Sequence, residues 1–235
     1  MYQPAGSPIG DGLLTSAELG FLPISYAEPA HWPVSGWRGA VKRALDVGIA
    51  LLGIVALAIV APVIALAIRL DSPGPVLFRQ RRIGFANVGF DIWKFRTMYH
   101  HGVEPGRLMQ ATRHDRRVTR VGAFLRRWSI DELPQFLNVL AGDMSLVGPR
   151  PHAPGTCAGG KPFELVTPRY PARHRVRPGM TGLAQVRGWR GETETSDKLL
   201  CRVAADLEYI DTWSLWLDLV ILARTVRMFA ACDAY

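Results

Sequence analysis

The longest apolar run in the chain lies at residues 47–68, where about 22 consecutive residues carry no charge. Charged residues stand on either side, with Asp46 before the run and Arg69 after it. A helix of this length can cross the hydrocarbon core of a bilayer. The alternative is a buried helix of a soluble domain, but such domains rarely bury so long an uninterrupted apolar run. The pattern therefore predicts a membrane helix at residues 38–70.

Pro62 lies inside this run and predicts a kink or break near Ala61, because proline lacks the backbone N–H and its ring clashes with the preceding turn. Lys and Arg flank the run at both ends, whereas the outer flank of a simple span is poor in them. A re-entrant helix that breaks at Pro62 and returns to the same face agrees with both flanks. No Ser or Thr lies near Pro62 to satisfy the freed backbone groups, so a kinked span remains an alternative.

Residues 1–37 precede this helix and contain scattered Pro, Gly and Ser with little periodicity. A signal peptide has a charged segment followed by an apolar core, and this stretch has neither in that order. We therefore expect residues 1–37 to form an extension that is poorly ordered or lies on the surface.

Shorter patterns after the apolar run predict strands. Apolar residues at 76–78 and 90–95 indicate two short strands, and Gly84 and Gly89 indicate turns between them. Three basic residues are expected between the strands, either as a solvated basic face or as contacts to substrate: Arg79, Arg81 and Arg82. Residues 152–172 are rich in Pro and Gly and predict a loop.

Helical patterns return near the end of the chain. Residues 196–210 predict one helix, and Trp213 opens a last helix that ends near Phe229. Trp213 and Trp216 suit a helix at a membrane interface, and packing against a core is an equally good alternative. The whole pattern predicts an α+β fold: a re-entrant membrane helix, then a small, mainly helical domain at 71–230 with short strands and interfacial helices.

Charge and composition narrow the class of partner. The net charge is +8, and 49% of the residues are hydrophobic. A basic surface combined with excess apolar residues suits anionic membranes or phosphorylated substrates. No zinc-ligand spacing, aromatic-rich strand motif or basic tail indicates nucleic acid, which we do not expect as a partner. Three widely spaced cysteines indicate neither a disulfide framework nor a zinc site.

The candidate chemistry centres on two adjacent carboxylates, Asp131 and Glu132. Pro134 follows them, and proline is tolerated in the first turn of a helix, so a helix is expected to begin close to the pair. A helix N-terminus favours anions such as a substrate phosphate. The structural alternative is a capping box, in which Ser129 and Glu132 bond reciprocally to backbone N–H groups.

The charged residues within about 40 positions favour the functional alternative, because they exceed what a cap requires and are of the type that binds phosphate. They are Lys94, Arg96, Arg126, Arg127, Asp143 and Arg150. Arg150 lies in a Gly-Pro-Arg-Pro turn that would present its guanidinium on a stiff loop. A second glycine-rich region with arginines, at residues 175–192, is a weak signal by itself.

Several motifs together resemble one family, the bacterial sugar transferases, or monotopic phosphoglycosyl transferases. The resemblance covers about residues 40–229 in unbroken order. It rests on the basic-flanked apolar helix with its proline, followed by the segments Lys94–Met98, Ser129–Gln135, Gly142–Pro151, Arg177–Gly182 and Tyr209–Trp216.

This resemblance implies transfer of hexose 1-phosphate from a UDP-sugar to undecaprenyl phosphate, with release of UMP, as the first membrane step of exopolysaccharide or surface glycan synthesis. It also implies a bacterial inner-membrane location, a catalytic domain on the cytoplasmic face, a Mg²⁺ requirement and a covalent phosphosugar enzyme. By motif position, Asp131 is the expected nucleophile and Glu132 its partner at the metal. The expected substrate-binding residues are Lys94, Arg96, Arg126, Arg150, Arg177 and Gln185. Membrane lipid is an expected partner, and a homo-oligomer is compatible with the sequence.

Residues 149–153 and 188–195 resemble the branch of the family that uses UDP-glucose. Two positions depart from that branch, Leu183 in place of Trp and Arg187 in place of Asn. A galactose 1-phosphate transferase is therefore an alternative. An alternative of another class is a non-catalytic basic membrane anchor or scaffold of a glycan assembly complex, which would not require the acidic pair.

Overall fold

The computed structural model describes residues 34–99 and 115–230. The helices are α1 (Gly36–Asp71), α2 (Arg120–Arg127), α3 (Gln135–Ala141), α4 (Phe163–Val166), α5 (Leu183–Val186), α6 (Ser196–Thr212) and α7 (Leu215–Ala230). The strands are β1 (Leu77–Ile83), β2 (Gly89–Phe95), β3 (Ser145–Val147), β4 (Cys157–Ala158), β5 (Lys161–Pro162) and β6 (Gly179–Thr181). Most of the predicted extension, residues 1–33, lies outside the described residues.

Helix α1 contains the whole apolar run, and Pro62 lies inside it without interrupting it. The helix is therefore not interrupted at Ala61, and a kink at Pro62 stays a prediction. Proline removes only its own N–H from the helical ladder, and the surrounding alanines are the strongest helix formers, so the helix can continue past it. Within the described chain, α1 is the one helix long and apolar enough to cross a membrane. Its re-entrant course stays a prediction.

One side of α1 packs against the rest of the domain along most of the helix. The buried positions recur at helical spacing, as expected for one contact face; they are Lys42, Asp46, Ala50, Leu57 and Ile68. The other side exposes large apolar side chains, including Leu52, Ile59, Val63 and Leu70, each at least 70% exposed. Helix α1 therefore has one side that packs on the domain and an opposite side that forms an apolar outer surface.

The predicted strand pair is an antiparallel hairpin in which Leu77 pairs with Phe95 and Ile83 with Gly89. Strand β1 extends further than predicted, so Arg79, Arg81 and Arg82 lie within it rather than between the strands. Pairing with the full length of β2 explains the extension, because each added residue completes a ladder bond.

Strands β3 and β6 pair in parallel, and β4 and β5 form a short antiparallel pair. The region predicted as a loop at residues 152–172 therefore contains β4, β5 and α4. Next to β3, the backbones of Gly148 and Gly179 approach closely, and a Cβ on Gly179 would lie 2.1 Å from the Gly148 nitrogen. Glycine is required at this contact because any side chain would separate the two segments.

The core lies between α3, β3, α6 and α7, where Val139, Met144, Leu199, Ile210 and Ile221 are almost completely inaccessible to solvent. The two C-terminal helices are confirmed, with α6 two residues longer than predicted. In α7 the buried Ile221 packs into the core while Trp216 remains 73% exposed. The helix thus has a core face and an exposed apolar face. The fold is confirmed as a mixture of helices and short strands with one long apolar helix.

Candidate active site

The acidic pair lies in a short 3-10 turn, Ile130–Glu132, and not in the first turn of an α-helix. Ser129 before it adopts a left-handed conformation with φ 54°, and α3 begins only at Gln135, after Pro134. The prediction of a helix close to the pair is correct, but its placement in the helix N-terminus is wrong. Ser129, with its left-handed backbone, separates the turn from α2, and Pro134, which lacks an N–H, lies between the turn and α3.

The capping box is not formed. The side chain of Ser129 makes no capping hydrogen bond. The Glu132 carboxylate faces two cations instead: Lys94 Nζ lies 2.7 Å from Oε1, and Arg150 donates Nη1 to Oε2 at 3.0 Å and Nη2 to Oε1. This bidentate contact with Arg150 is the strong geometry for a guanidinium and a carboxylate. Both carboxylate oxygens of Glu132 thus accept hydrogen bonds from Lys94 or Arg150.

The two neighbouring carboxyls have pKa values shifted in opposite directions. The pKa of Asp131 is raised to about 6, chiefly by burial. The negative charge of Glu132 also raises this pKa, whereas the positive charges of Lys94 and Arg126 lower it. Burial would also raise the pKa of Glu132, but Arg150 and Lys94 together lower it below its usual range. Glu132 is therefore ionised throughout the physiological range, whereas Asp131 titrates just below neutrality.

Asp131 is 7% exposed, and none of the described residues donates a hydrogen bond to its carboxylate. Buried carboxylates are normally hydrogen-bonded, because an unpaired one loses its hydration without compensation. A buried, unpaired carboxylate beside fixed cations is the state expected of a nucleophile.

Three elements bring the cations to this pair. Lys94 lies near the end of β2, Arg126 at the end of α2, and Arg150 on the loop after β3. The hydroxyl of Thr97 holds Arg126 by accepting from Nε at 2.8 Å. These three predicted phosphate-binding residues thus surround the acidic pair.

The other three predicted binding residues are used elsewhere. Arg96 is buried at the end of α1, where its guanidinium donates to the carbonyls of Ser72 at 2.6 Å and Pro73 at 2.7 Å. Arg177 Nε donates to the carbonyl of Gly142, the residue after α3. Gln185 Nε2, in α5, donates to the carbonyl of Met180. Each of the three side chains thus donates to a backbone carbonyl, and their binding of substrate stays a prediction.

Arg173, which sequence reasoning missed, supports the loop that carries Arg150. It is 2% exposed, forms a buried ion pair with Asp206 and donates Nη2 to the carbonyl of Arg150 at 2.8 Å. Its Nη1 also donates to the hydroxyl of Tyr170 at 2.7 Å. Arg173 lies between the predicted loop at residues 152–172 and the glycine-rich region at 175–192, and it gave no signal because its partner Asp206 lies 33 positions later.

A magnesium ion fits this arrangement only in part. Enzymes often hold Mg²⁺ by one or two carboxylates together with substrate phosphates. No group of three or more His, Cys, Asp or Glu side chains in residues 34–99 and 115–230 could hold a metal ion. Asp131 is open to a cation, whereas Lys94 and Arg150 occupy the oxygens of Glu132. The residues fit Mg²⁺ held by Asp131 and by phosphate oxygens; the Mg²⁺ requirement and a direct role for Glu132 stay predictions.

The chain is similar to a family of known proteins. A family model described as bacterial sugar transferase matches residues 37–231. The chain is 51% identical to an undecaprenyl-phosphate glucose phosphotransferase of Komagataeibacter xylinus over 88% of its length and 39% of the relative. It is similar to two proteins named UDP-glucose:undecaprenyl-phosphate glucose-1-phosphate transferase. The one from Escherichia coli is 50% identical (83% of this chain, 41% of the relative), and the one from Caulobacter vibrioides is 54% identical (82% and 70%). The chain thus spans about two fifths of the first two relatives.

Proposed function

The chain belongs to the bacterial sugar transferase family, and we propose that it transfers glucose 1-phosphate from UDP-glucose to undecaprenyl phosphate. One observation carries the proposal. Asp131 is a buried carboxylate without a hydrogen-bond donor among the described residues, and it adjoins a glutamate that two cations hold ionised. A membrane anchor or scaffold gains nothing from such a costly arrangement.

In the first half-reaction, a carboxylate oxygen of Asp131 attacks the phosphorus atom that carries the sugar. The bond from this phosphorus to the bridging oxygen breaks, and its electron pair leaves with UMP. The product is an acyl phosphate that links Asp131 to the sugar. Mg²⁺, when bound, neutralises negative charge on the diphosphate.

The fixed cations make this attack feasible, because two anions must otherwise approach each other. Lys94, Arg126 and Arg150 concentrate positive charge where the transition state gathers negative charge. Glu132 keeps Lys94 and Arg150 in place and lowers their net charge. Its proposed role is to position these cations while Asp131 forms the covalent bond.

In the second half-reaction, the phosphate of undecaprenyl phosphate attacks the acyl phosphate and regenerates the Asp131 carboxylate. The lipid would reach the site along the exposed apolar side of α1. The helix itself lies near the site, because its packed side contacts α3, where a Cβ on Gly53 would lie 2.6 Å from the Phe136 ring. Two separate half-reactions let a soluble donor and a lipid acceptor use one site in turn, with ping-pong kinetics.

Contacts at both ends of α1 support a location on one face of the membrane. Near its start, Lys42 Nζ lies 2.7 Å from Asp218. At its end, the Asp71 carboxylate accepts from the Val121 nitrogen at 3.0 Å. Since one domain holds both ends, we propose that both flanks lie on the cytoplasmic face of the bacterial inner membrane. Labelling from the periplasmic side of a cysteine introduced at Ser35, with the native cysteines replaced, would contradict this.

The donor sugar is proposed from the names of the relatives, which specify glucose. The two departures from the UDP-glucose branch do not adjoin the acidic pair. Leu183 is buried in the core, and Arg187 forms an exposed ion pair with Glu208 at 2.6 Å. These contacts give no reason to prefer galactose.

Release of UMP by the purified protein in lipid nanodiscs tests the proposed function. We expect UMP from UDP-glucose without acceptor, in an amount limited by the protein present, and steady turnover after undecaprenyl phosphate is added. UDP-galactose and the two N-acetylated UDP-hexoses serve as competing donors. Equal or faster turnover with UDP-galactose would overturn the donor assignment, and no release from any of the four would overturn the enzymatic proposal.

A further inference from the structure

The amide side chain of Asn138 joins α3 to the strand that carries Lys94. Asn138 is 2% exposed. Its Oδ1 accepts from the backbone nitrogen of Trp93 at 3.0 Å, and its Nδ2 donates to the carbonyl of Asp91 at 2.7 Å. Residues two apart in a strand turn backbone groups to the same edge, so one amide can bond both of them, as a neighbouring strand would. A side chain of α3 therefore holds the edge of β2 that faces away from β1.

Asn138 is itself fixed at the turn that ends α3. Its carbonyl accepts from the nitrogens of Gly142, Asp143 and Met144 at 3.1, 3.1 and 3.2 Å. Gly142 has the left-handed conformation common at helix ends, with φ 94°. The chain then enters β3 and the loop that carries Arg150. The main chain of Asn138 thus anchors the segment that leads to one cation of the acidic pair, and its side chain holds the strand of another.

Directional bonds matter at this contact because the apolar packing beside it does not fix a register. Ile92 and Val139 belong to the same buried apolar cluster, but apolar contact is non-directional and tolerates small slides. Consecutive residues of a strand are about 3.3 Å apart. Lys94 Nζ lies 2.7 Å from Glu132 Oε1, so a slide by a fraction of one residue would break this ion pair. The bonds to Asn138 oppose such a slide, because a hydrogen bond requires both a distance and a direction.

We propose that Asn138 is a positioning residue of the active site, whose amide fixes β2 so that Lys94 meets Glu132 beside Asp131. Its side-chain bonds reach the strand and not the acidic pair, so it acts through Lys94. An amide suits this role because it carries a donor and an acceptor on one planar group. The inference rests on the proposed function, in which Lys94 neutralises charge on the diphosphate.

Amine labelling of the full chain in nanodiscs, read by mass spectrometry, tests the inference without substrate. The side chain of Lys94 is 17% exposed and paired, so acetic anhydride should label it slowly relative to the exposed Lys161. Asn138→Leu keeps a similar volume and removes both the donor and the acceptor. We expect relative labelling of Lys94 to rise about tenfold, the size of one lost hydrogen bond between charged groups. UMP release per folded molecule should fall about 10-fold to 100-fold, because the cation is displaced.

Two controls separate positioning from general loosening. Arg150 lies on the loop that the main chain of Asn138 anchors, and leucine retains this main chain, so labelling of Arg150 by phenylglyoxal should not change. Arg43→Met loosens the same helix, since Arg43 donates to two carbonyls of α3 at 2.6 and 3.0 Å. This variant should lower the melting temperature and leave both Lys94 labelling and UMP release near the wild-type values.

Asn138→Gln keeps the amide on a longer side chain, so Lys94 labelling should rise less, about threefold. The same comparison applies to this variant if Asn138→Leu does not fold. Three results would each overturn the inference: unchanged labelling of Lys94, equal rises at Lys94 and Arg150, or faster labelling of Lys94 with no loss of UMP release.

The labelling requires no sugar transfer, so it separates the inference from the proposed function. Faster labelling of Lys94 in Asn138→Leu, with no UMP release from the unaltered chain, would support the positioning and overturn the proposed function. Unchanged labelling with normal UMP release from the unaltered chain would do the reverse.

Discussion

Two buried groups of charges in this protein differ in how completely their carboxylates are hydrogen-bonded. Between α1 and α7, Asp218 accepts from Lys42 at 2.7 Å, Tyr209 at 2.8 Å and Trp213 at 3.1 Å. Asp46 beside it accepts from Ser145 at 2.8 Å. At the candidate active site, no described residue donates to Asp131. Both groups are buried, but Asp218 and Asp46 accept hydrogen bonds from side chains and Asp131 accepts none from the described residues.

The difference separates a structural network from a reactive one. A buried carboxylate with all its donors is fixed by its hydrogen bonds and has few lone pairs left to offer. A carboxylate held near cations without donors keeps its lone pairs available, at a cost in stability. We therefore expect substitutions in the first network to affect stability and substitutions in the second to affect catalysis.

Asp131→Asn should have the largest effect on activity. It keeps the shape but removes the nucleophile, so UMP release from UDP-glucose should fall by at least about 10³-fold. Folding should not suffer, since the pKa of Asp131 is raised to about 6. A raised pKa means that the folded protein disfavours the anion, so above pH 6 the uncharged Asn is neutral or stabilising. A labelled phosphosugar adduct on the Asn variant would disprove the covalent role.

Asp218→Asn should act in the opposite way. Lys42 would lose the nearer of its two carboxylate partners, Asp218 at 2.7 Å, and keep Asp46 at 3.8 Å, so we expect the free energy of unfolding to fall by about 3 kcal/mol. UMP release per folded molecule should change less than about threefold, because Asp218 does not contact the acidic pair. Denaturant titration in detergent and active-site counting with labelled donor measure the two effects. A loss of activity without a loss of stability would show that the two networks are coupled.

The pH dependence of kcat/KM should report Asp131. Below pH 6 the carboxyl is protonated and cannot attack, and above pH 6 it is ionised, so the rate should rise through pH 6 and level off near pH 7. In Glu132→Gln the adjacent negative charge is gone, and this charge raises the pKa of Asp131. The rise should therefore move to lower pH.

The Glu132→Gln variant should also lose about 10-fold to 100-fold in rate, because Lys94 and Arg150 lose their shared carboxylate. The plateau rate and the midpoint of the pH profile measure these effects separately. A profile that keeps its midpoint would show that another group controls the acid limb.

Sequence reasoning predicted the parts of the site that depend on local pattern. The strand that carries Lys94, the short segment that carries Asp131 and Glu132, and the turn that carries Arg150 are each encoded within a few residues. That these side chains meet was implied by the family resemblance, not by their spacing. Spacing could not show it, because Lys94 and Glu132 are 38 positions apart.

Some contacts in the structure depend on distant backbone groups that no local pattern shows. The end of α1 leaves carbonyls without helical partners, and Arg96, an expected substrate-binding residue, donates to two carbonyls there. Arg177 does the same at Gly142. Helix α1 passes through Pro62 with one face packed on the domain, and packing of this kind overrides local propensity. Such outcomes depend on tertiary contacts that no local pattern contains.

The smallest predicted effect tests whether the pKa of Asp131 depends on the position of Arg126. Thr97→Val preserves shape but removes the hydroxyl that accepts from Arg126 Nε at 2.8 Å. Arg126 lowers the pKa of Asp131, so a less firmly held guanidinium should move the rise of kcat/KM to higher pH, opposite to Glu132→Gln. We expect a loss of about threefold in rate at neutral pH and about 1 kcal/mol in stability.

Thr181→Val is its control, because this equally buried hydroxyl bonds Thr225 at 2.7 Å in the structural part of the molecule. It should cost similar stability and leave the pH profile unchanged. If both threonine variants shifted the profile in the same way, the effect would come from general loosening of the fold. A shift in Thr97→Val alone would instead assign the tuning of Asp131 to Arg126, since only that variant alters a cation next to the carboxylate.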